Sequence, residues 1–97
     1  MQNMYVYIMS NKNNTTLYVG VTNDLIRRVI EHKSNMHEGF SSKYNLHKLV
    51  YFEVFDDEIS AIEAEKYLKK CYRKTKEKFI NQMNPQWNDL FEDMVEN

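Results

Sequence analysis

Two periods of apolar spacing divide this chain. Residues 4 to 9, Met-Tyr-Val-Tyr-Ile-Met, are apolar at every step and rich in aromatic and β-branched types. That is the pattern of a strand covered on both faces. Residues 10 to 15 form a polar, Asn-rich cluster, which suits a turn because Asn tolerates left-handed backbone and bonds its own main chain. Residues 16 to 21 regain strand character, and the short link predicts an antiparallel hairpin. On this second strand Tyr18 and Gly20 share one face, while Leu17, Val19 and Val21 share the other. A glycine inside a strand costs backbone entropy and marks a bulge or a close approach.

The period then becomes helical. Thr22 or Asn23 can cap a helix that runs to about Lys33, with Asp24 favourable in its first turn. Leu25, Ile26, Val29 and Ile30 are its expected buried stripe, and Asp24, Arg28 and His32 fall in one polar line. Residues 34 to 45 are irregular, with Gly39 at a turn and Phe40 and Tyr44 packed over the domain. Residues 46 to 55 are the most strand-like run, apolar on both faces, and are expected to form the central strand. Ser60 and Glu63 have capping-box spacing, so a second helix is expected to start there. It should run into the low seventies and bury Ala61, Ala64, Leu68 and Cys71. Phe79 and Ile80 read as another short helical or loop anchor that Asn84-Pro85 ends. The order β-β-α-β-α-α predicts an α+β fold, a three-stranded antiparallel sheet flanked by helices. A single domain is expected over 1–97, with 85–97 as an acidic tail anchored by Trp87 and Leu90.

Composition narrows the chemistry. The one cysteine, Cys71, cannot form an internal disulfide, so a reducing, cytoplasmic setting is expected. No apolar run approaches the roughly 18 residues of a membrane span, and no secretory signal is expected at the N-terminus. The net charge of -1 argues mildly against a nucleic-acid binder. Its distribution softens that argument, because seven cations between Lys66 and Lys78 are interrupted only by Glu77. A solvated helix face is the ordinary meaning of such a run, so the block needs a site beside it. His32, His37, His47 and Cys71 lack zinc-finger spacing. There is no Gly-rich phosphate loop, hence no expectation of a dinucleotide cofactor.

One constellation is more specific. Tyr5-Val6-Tyr7, ten intervening residues, Tyr18-Val19-Gly20, then Thr22, Asp24-Leu25, Arg28 and His32 resemble the GIY-YIG nuclease superfamily. The resemblance continues through Gly39 to Tyr44, Leu49-Val50-Tyr51, residues 64 to 69, Asn84-Pro85, Trp87 and Asp89-Leu90. These later blocks look like the small stand-alone branch, related to the N-terminal domain of excision-repair nucleases. The resemblance implies a metal-dependent endonuclease that hydrolyses phosphodiester bonds in DNA, in repair or processing. It implies Tyr7, Tyr18, Arg28, His32 and Glu65 as catalytic residues, with Tyr7 favoured as base and Tyr18 as a positioning group. Glu65 matches the metal-binding glutamate, for one Mg²⁺ or Mn²⁺. Gly20, Lys69 and Asn84 would bind substrate or support the site, with Asn81 competing for the role of Asn84. Branched, flapped or single-stranded DNA is the implied partner, and the protein is expected to be a monomer or weak homodimer.

Each of these residues also has a plainer reading. Two tyrosines on a hairpin can be core, Arg28 a surface charge, His32 a satisfied half-buried histidine, Glu65 an ion-pair partner of Lys69, and Asn84 a helix cap. The alternative function is a non-catalytic module on the same fold that holds nucleic acid or a protein. Tyr5 stands where the first motif has glycine, and Val6 and Val19 replace isoleucines.

Overall fold

The computed structural model describes residues 3–35 and 43–95. The Gly39-to-Ser42 part of the resemblance, and the packing expected of Phe40, lie outside the described residues. Among those described, the order is β1 (Met4–Ser10), β2 (Leu17–Thr22), α1 (Leu25–Lys33), β3 (Lys48–Phe55), α2 (Glu58–Lys70), α3 (Arg73–Met83) and α4 (Phe91–Val95). The sheet order is β2-β1-β3, antiparallel throughout. The expected α+β architecture is therefore present.

The central strand is β1, not the third strand that the apolar run of residues 46 to 55 suggested. Five consecutive residues of β1, Val6 to Ser10, are buried, whereas Glu53 and Val54 of β3 are exposed. A hairpin places β2 on one side of β1, and β3 returns along the other. The turn residues act as their chemistry requires. Asn14 sits at φ 58°, and the Asn11 side-chain oxygen accepts from the Thr15 and Thr16 amides.

The two faces of the sheet carry separate cores. On one, Val6, Ile8, Val19 and Tyr51 meet Ala61 and Leu68 of α2 and Ile80 of α3. On the other, Tyr7, Met9 and Leu49 meet Leu25 and Val29 of α1 together with Leu46. Burying a side chain of this size stabilises by about 1.5–3 kcal/mol, so both layers hold the sheet.

The helix starts differ from expectation by a few residues, for an identifiable reason. In α1 the cap is Asp24, whose carboxylate accepts from the Arg27 amide at 3.2 Å. Thr22 instead accepts from the Asp24 amide. In α2 the cap is Asp57, which accepts from the Ser60 amide at 2.7 Å, so the Ser60–Glu63 spacing lies inside the helix. In each case an acidic side chain bonds the amide three residues on, as a capping residue does. The buried stripe of α1 is Leu25, Val29 and His32. Ile26 and Ile30 are exposed, because the i, i+4, i+7 row already fills the contact with the sheet.

The C-terminal segment seals β3. Ile8 pairs with Tyr51 but Met9 pairs with Leu49, which leaves Val50 as an extra residue in the ladder. A bulged residue loses its ladder partner. Here the Asn84 side-chain amide donates to the Val50 carbonyl at 3.1 Å. Next along the edge, the Leu49 amide donates to the Asp89 carboxylate and the Leu49 carbonyl accepts from Leu90. Lys33 also donates to Asp89. Trp87 packs on one core and Leu90 on the other.

Candidate active site

The site starts from a register fact. Tyr7 of β1 lies directly opposite Gly20 of β2, and both face α1. A β-carbon on Gly20 would lie 2.5 Å from Tyr7 Cζ and 2.8 Å from Cε1. Such atoms never approach so closely, so only glycine lets the Tyr7 ring lie across β2. Crossing there, the ring reaches His32 on α1, and the Tyr7 hydroxyl and His32 Nε2 are 3.1 Å apart in a buried hydrogen bond. Tyr18 closes the group, with its ring centroid 5.4 Å from His32 and 6.3 Å from Tyr7.

The two tyrosines differ in access. Tyr7 is fully buried, and Tyr18 is half-buried. Burial, followed by the proximity of Tyr18, pushes the Tyr7 phenol well above its ordinary range. The Arg28 guanidinium pulls the other way through its charge and a side-chain hydrogen bond, and loses to burial. Desolvation disfavours the phenolate by more than one neighbouring cation restores. Burial thus disfavours the phenolate form of Tyr7.

Arg28 is 35% exposed and bonds Glu31 at 3.1 Å. Glu31 also takes Arg27 at 3.3 Å. Glu31 was overlooked in the sequence, although its position three residues past Arg28 on a helix was the available signal. Its single carboxylate aims Arg28 while leaving part of the guanidinium open to a ligand.

Glu65 comes from the opposite layer. It lies on α2, which packs on the face of the sheet away from Tyr7. Its carboxylate is only 14% exposed and accepts from Lys69 at 2.9 Å. Glu65 raises the affinity of Lys69 for its proton, and the charge of a Tyr18 phenolate contributes in the same direction. Since β2 is an edge strand, Tyr18 is where the two faces can communicate around the edge. Asn84 is engaged elsewhere: its side chain donates to Val50 and Asn88 and accepts from the Asn88 amide. Asn81 accepts from the Trp87 indole. The structural reading of both asparagines is what the described bonds display.

The profile of the GIY-YIG catalytic domain matches residues 3–79. The chain belongs to the GIY-YIG catalytic domain family. Its curated relatives include UPF0213 protein CPE1444 of Clostridium perfringens, 36% identical over 79% of this chain and 82% of that protein. UPF0213 protein YazA of Bacillus subtilis is 34% identical over 82% of this chain and 80% of its own length. The solution NMR structure of UPF0213 protein BH0048 from Bacillus halodurans matches with a TM-score of 0.58 at 26% identity, covering 90% of this chain and 92% of that one. The GIY-YIG assignment points to nuclease-type function on a nucleic-acid substrate. GIY-YIG nucleases typically use a divalent metal.

The donor set here is compatible with such an ion. Glu65 offers a hard carboxylate, one oxygen of which takes Lys69, and Mg²⁺ is commonly held by one or two carboxylates with water and phosphate oxygens completing the shell. Among the described residues no group of three or more His, Cys, Asp or Glu converges, so the fit is to that open arrangement. Also among the described residues, no helix is long and apolar enough to cross a membrane.

Proposed function

We propose that this protein is an endonuclease that hydrolyses phosphodiester bonds in DNA, with one divalent cation held by Glu65. The observation that carries the reading is the Gly20–Tyr7–His32 crossing. A glycine kept where a phenol must pass, so that its hydroxyl reaches a buried histidine, is an expensive arrangement for a core and a useful one for handling a proton. Arg28, half-open beside that hydroxyl, is a planar fork suited to phosphate oxygens.

The roles follow from access and charge. Tyr18, at the rim, is the group that meets the attacking water; it takes the proton in its phenolate form and returns it to solvent as the phenol ionises again. Tyr7 stays neutral, and its hydrogen bond with His32 Nε2 fixes the imidazole beside the Tyr18 ring. Arg28 holds a non-bridging oxygen of the scissile phosphate and stabilises charge accumulating there. The bound cation would neutralise phosphate charge and acidify a nearby water. In the net reaction water adds to phosphorus as one P–O ester bond breaks, and the leaving oxygen is protonated from solvent. This assignment reverses the order expected for the two tyrosines, because burial disfavours the Tyr7 phenolate.

The test is incubation of purified protein with Mg²⁺ or Mn²⁺ and a panel of nicked, flapped, branched and single-stranded DNA. Cleavage of at least one substrate, abolished in Glu65→Ala and Arg28→Ala, is the expected result. Intact substrates throughout, with both variants indistinguishable from the parent, would sink the reading and favour a binding module.

A further inference from the structure

The basic block of the sequence folds into one corner. Helix α2 ends at Lys70 and α3 begins at Arg73, so Cys71 and Tyr72 make the bend. Tyr72 is 86% exposed and Tyr67, one turn before the end of α2, is 59% exposed. Lys66, Lys70, Lys74 and Lys78 are all exposed around them. Two adjoining grooves cross this surface. One, of about 240 Å³, is lined by Tyr67, Thr75, Lys78, Phe79 and Gln82. The other, of about 520 Å³, shares Lys78 and Gln82 and adds Lys74, Glu77 and Asn81. The one acid among these residues, Glu77, is occupied by Arg73 at 3.0 Å.

This surface is continuous with the candidate site. Lys69 and Glu65 lie on the same helix, and Arg73 donates to the carbonyl of Thr15 at 2.8 Å and to that of Asn14. Those bonds fasten the corner to the loop that leads directly into Tyr18. The chemistry selects an occupant. Lysines alone would serve any polyanion, including a duplex, whose bases are stacked out of reach. Flat aromatic faces held in water among cations suit a ligand that offers both negative charge and unpaired π-faces. That is single-stranded nucleic acid.

We propose that the α2–α3 corner is a track for single-stranded nucleic acid. Bases stack on Tyr72 and Tyr67 while Lys70, Lys74 and Lys78 hold the phosphates. This rests on the nuclease reading and deepens it, since it names the substrate class as one with an unpaired segment leading to Tyr18.

The experiment is fluorescence anisotropy of the full chain in EDTA, so that metal-dependent cleavage does not intervene. The probes are a labelled single-stranded oligonucleotide, as DNA and as RNA, and a blunt duplex of equal length. The parent should bind the single strand more tightly than the duplex. Tyr72→Ala should weaken single-strand binding by about tenfold and change duplex binding less than twofold, while Tyr72→Phe should match the parent. Lys74→Ala and Lys78→Ala should weaken both ligands and flatten the salt dependence. Unchanged single-strand binding by Tyr72→Ala, equal loss on both probes, or full competition by polyglutamate would overturn the proposal. The two readings separate: single-strand binding that depends on Tyr72 without cleavage supports the track and removes the nuclease. Cleavage with Tyr72 irrelevant to binding removes the track alone.

Discussion

Replacing Gly20 by alanine puts a methyl group where the Tyr7 ring passes. The added carbon would sit 2.5 Å from Cζ and 2.8 Å from Cε1, against an ordinary contact of about 3.5–4 Å. The ring must therefore give way by roughly 1 Å. It has little room to do so, because Tyr7 is fully buried and its hydroxyl is tied to His32. Overpacking of this kind costs about 1–3 kcal/mol, and a broken buried hydrogen bond adds about 1 kcal/mol. Relief of glycine's backbone entropy returns about 0.5–1 kcal/mol. A net loss of about 1–3 kcal/mol is expected, read as a lower denaturant midpoint with unchanged slope. Cleavage should fall further than stability, by about 10²-fold, since a shift of about 1 Å at a reacting group has that effect. Tyr7→Leu removes the three crowded atoms, so in that background Gly20→Ala should cost almost nothing. A Gly20→Ala protein with parental midpoint and parental rate, or a cost that persists beside Tyr7→Leu, would refute the close approach as the reason for this glycine.

Other outcomes follow from the same geometry. Tyr18→Phe should cut the cleavage rate by about 10²–10⁴-fold; a parental rate in Tyr18→Phe would remove Tyr18 as the base. Glu65→Gln should eliminate metal-dependent cleavage while costing less than about 1 kcal/mol in stability, because its partner Lys69 is 51% exposed and such pairs are weak. Asn84→Ala strands the Val50 carbonyl and frees the turn to Asn88, so calorimetry or denaturation should show a loss of about 2–4 kcal/mol. Burial, then Glu53, pushes the Tyr51 phenol from 10.0 up to about 12, and burial raises Tyr7 as well. Groups raised on folding contribute stability that is fully present below their unfolded value. Stability should hold to about pH 10 and decline between pH 10 and 12, more gently in Tyr51→Phe.

What the sequence made legible follows from the range of each interaction. Strands and helices rest on local periodicity, so β1, β2, α1 and α2 were readable within a few residues. Strand order is not local: the long apolar run of residues 46 to 55 read as the central strand, and the hairpin geometry with the burial of Val6 to Ser10 decides for β1. The caps shifted because Asp24 and Asp57 bond the amides three residues on, Arg27 and Ser60, and so start each helix at a different residue from the one that Thr22, Asn23 or Ser60 would have set. Residues 73 to 83 carry a charge-rich pattern with few apolar positions, so this helix was expected only as a short anchor at Phe79 and Ile80 and not at its eleven residues. In the candidate site, Gly20, Tyr7 and His32 were marked by residue type and order. Their contact needed the register that sets Tyr7 opposite Gly20. The contrast between the tyrosines is a matter of burial, which no spacing expresses. Asp89 and Asn84 read as tail and motif residues because their partners, Leu49 and Val50, are more than 30 positions away.

With Glu65 in one layer and Tyr18 in the other, the proposed chemistry requires the two to meet around the β2 edge at a single cation. Paramagnetic broadening of amide resonances during Mn²⁺ titration measures that meeting directly. Broadening centred on Glu65 and Lys69 that extends to Tyr18 and Gly20, and that disappears in Glu65→Gln, is the predicted result. Broadening confined to the acidic C-terminal residues, or a pattern around Glu65 that leaves Tyr18 sharp, would contradict it.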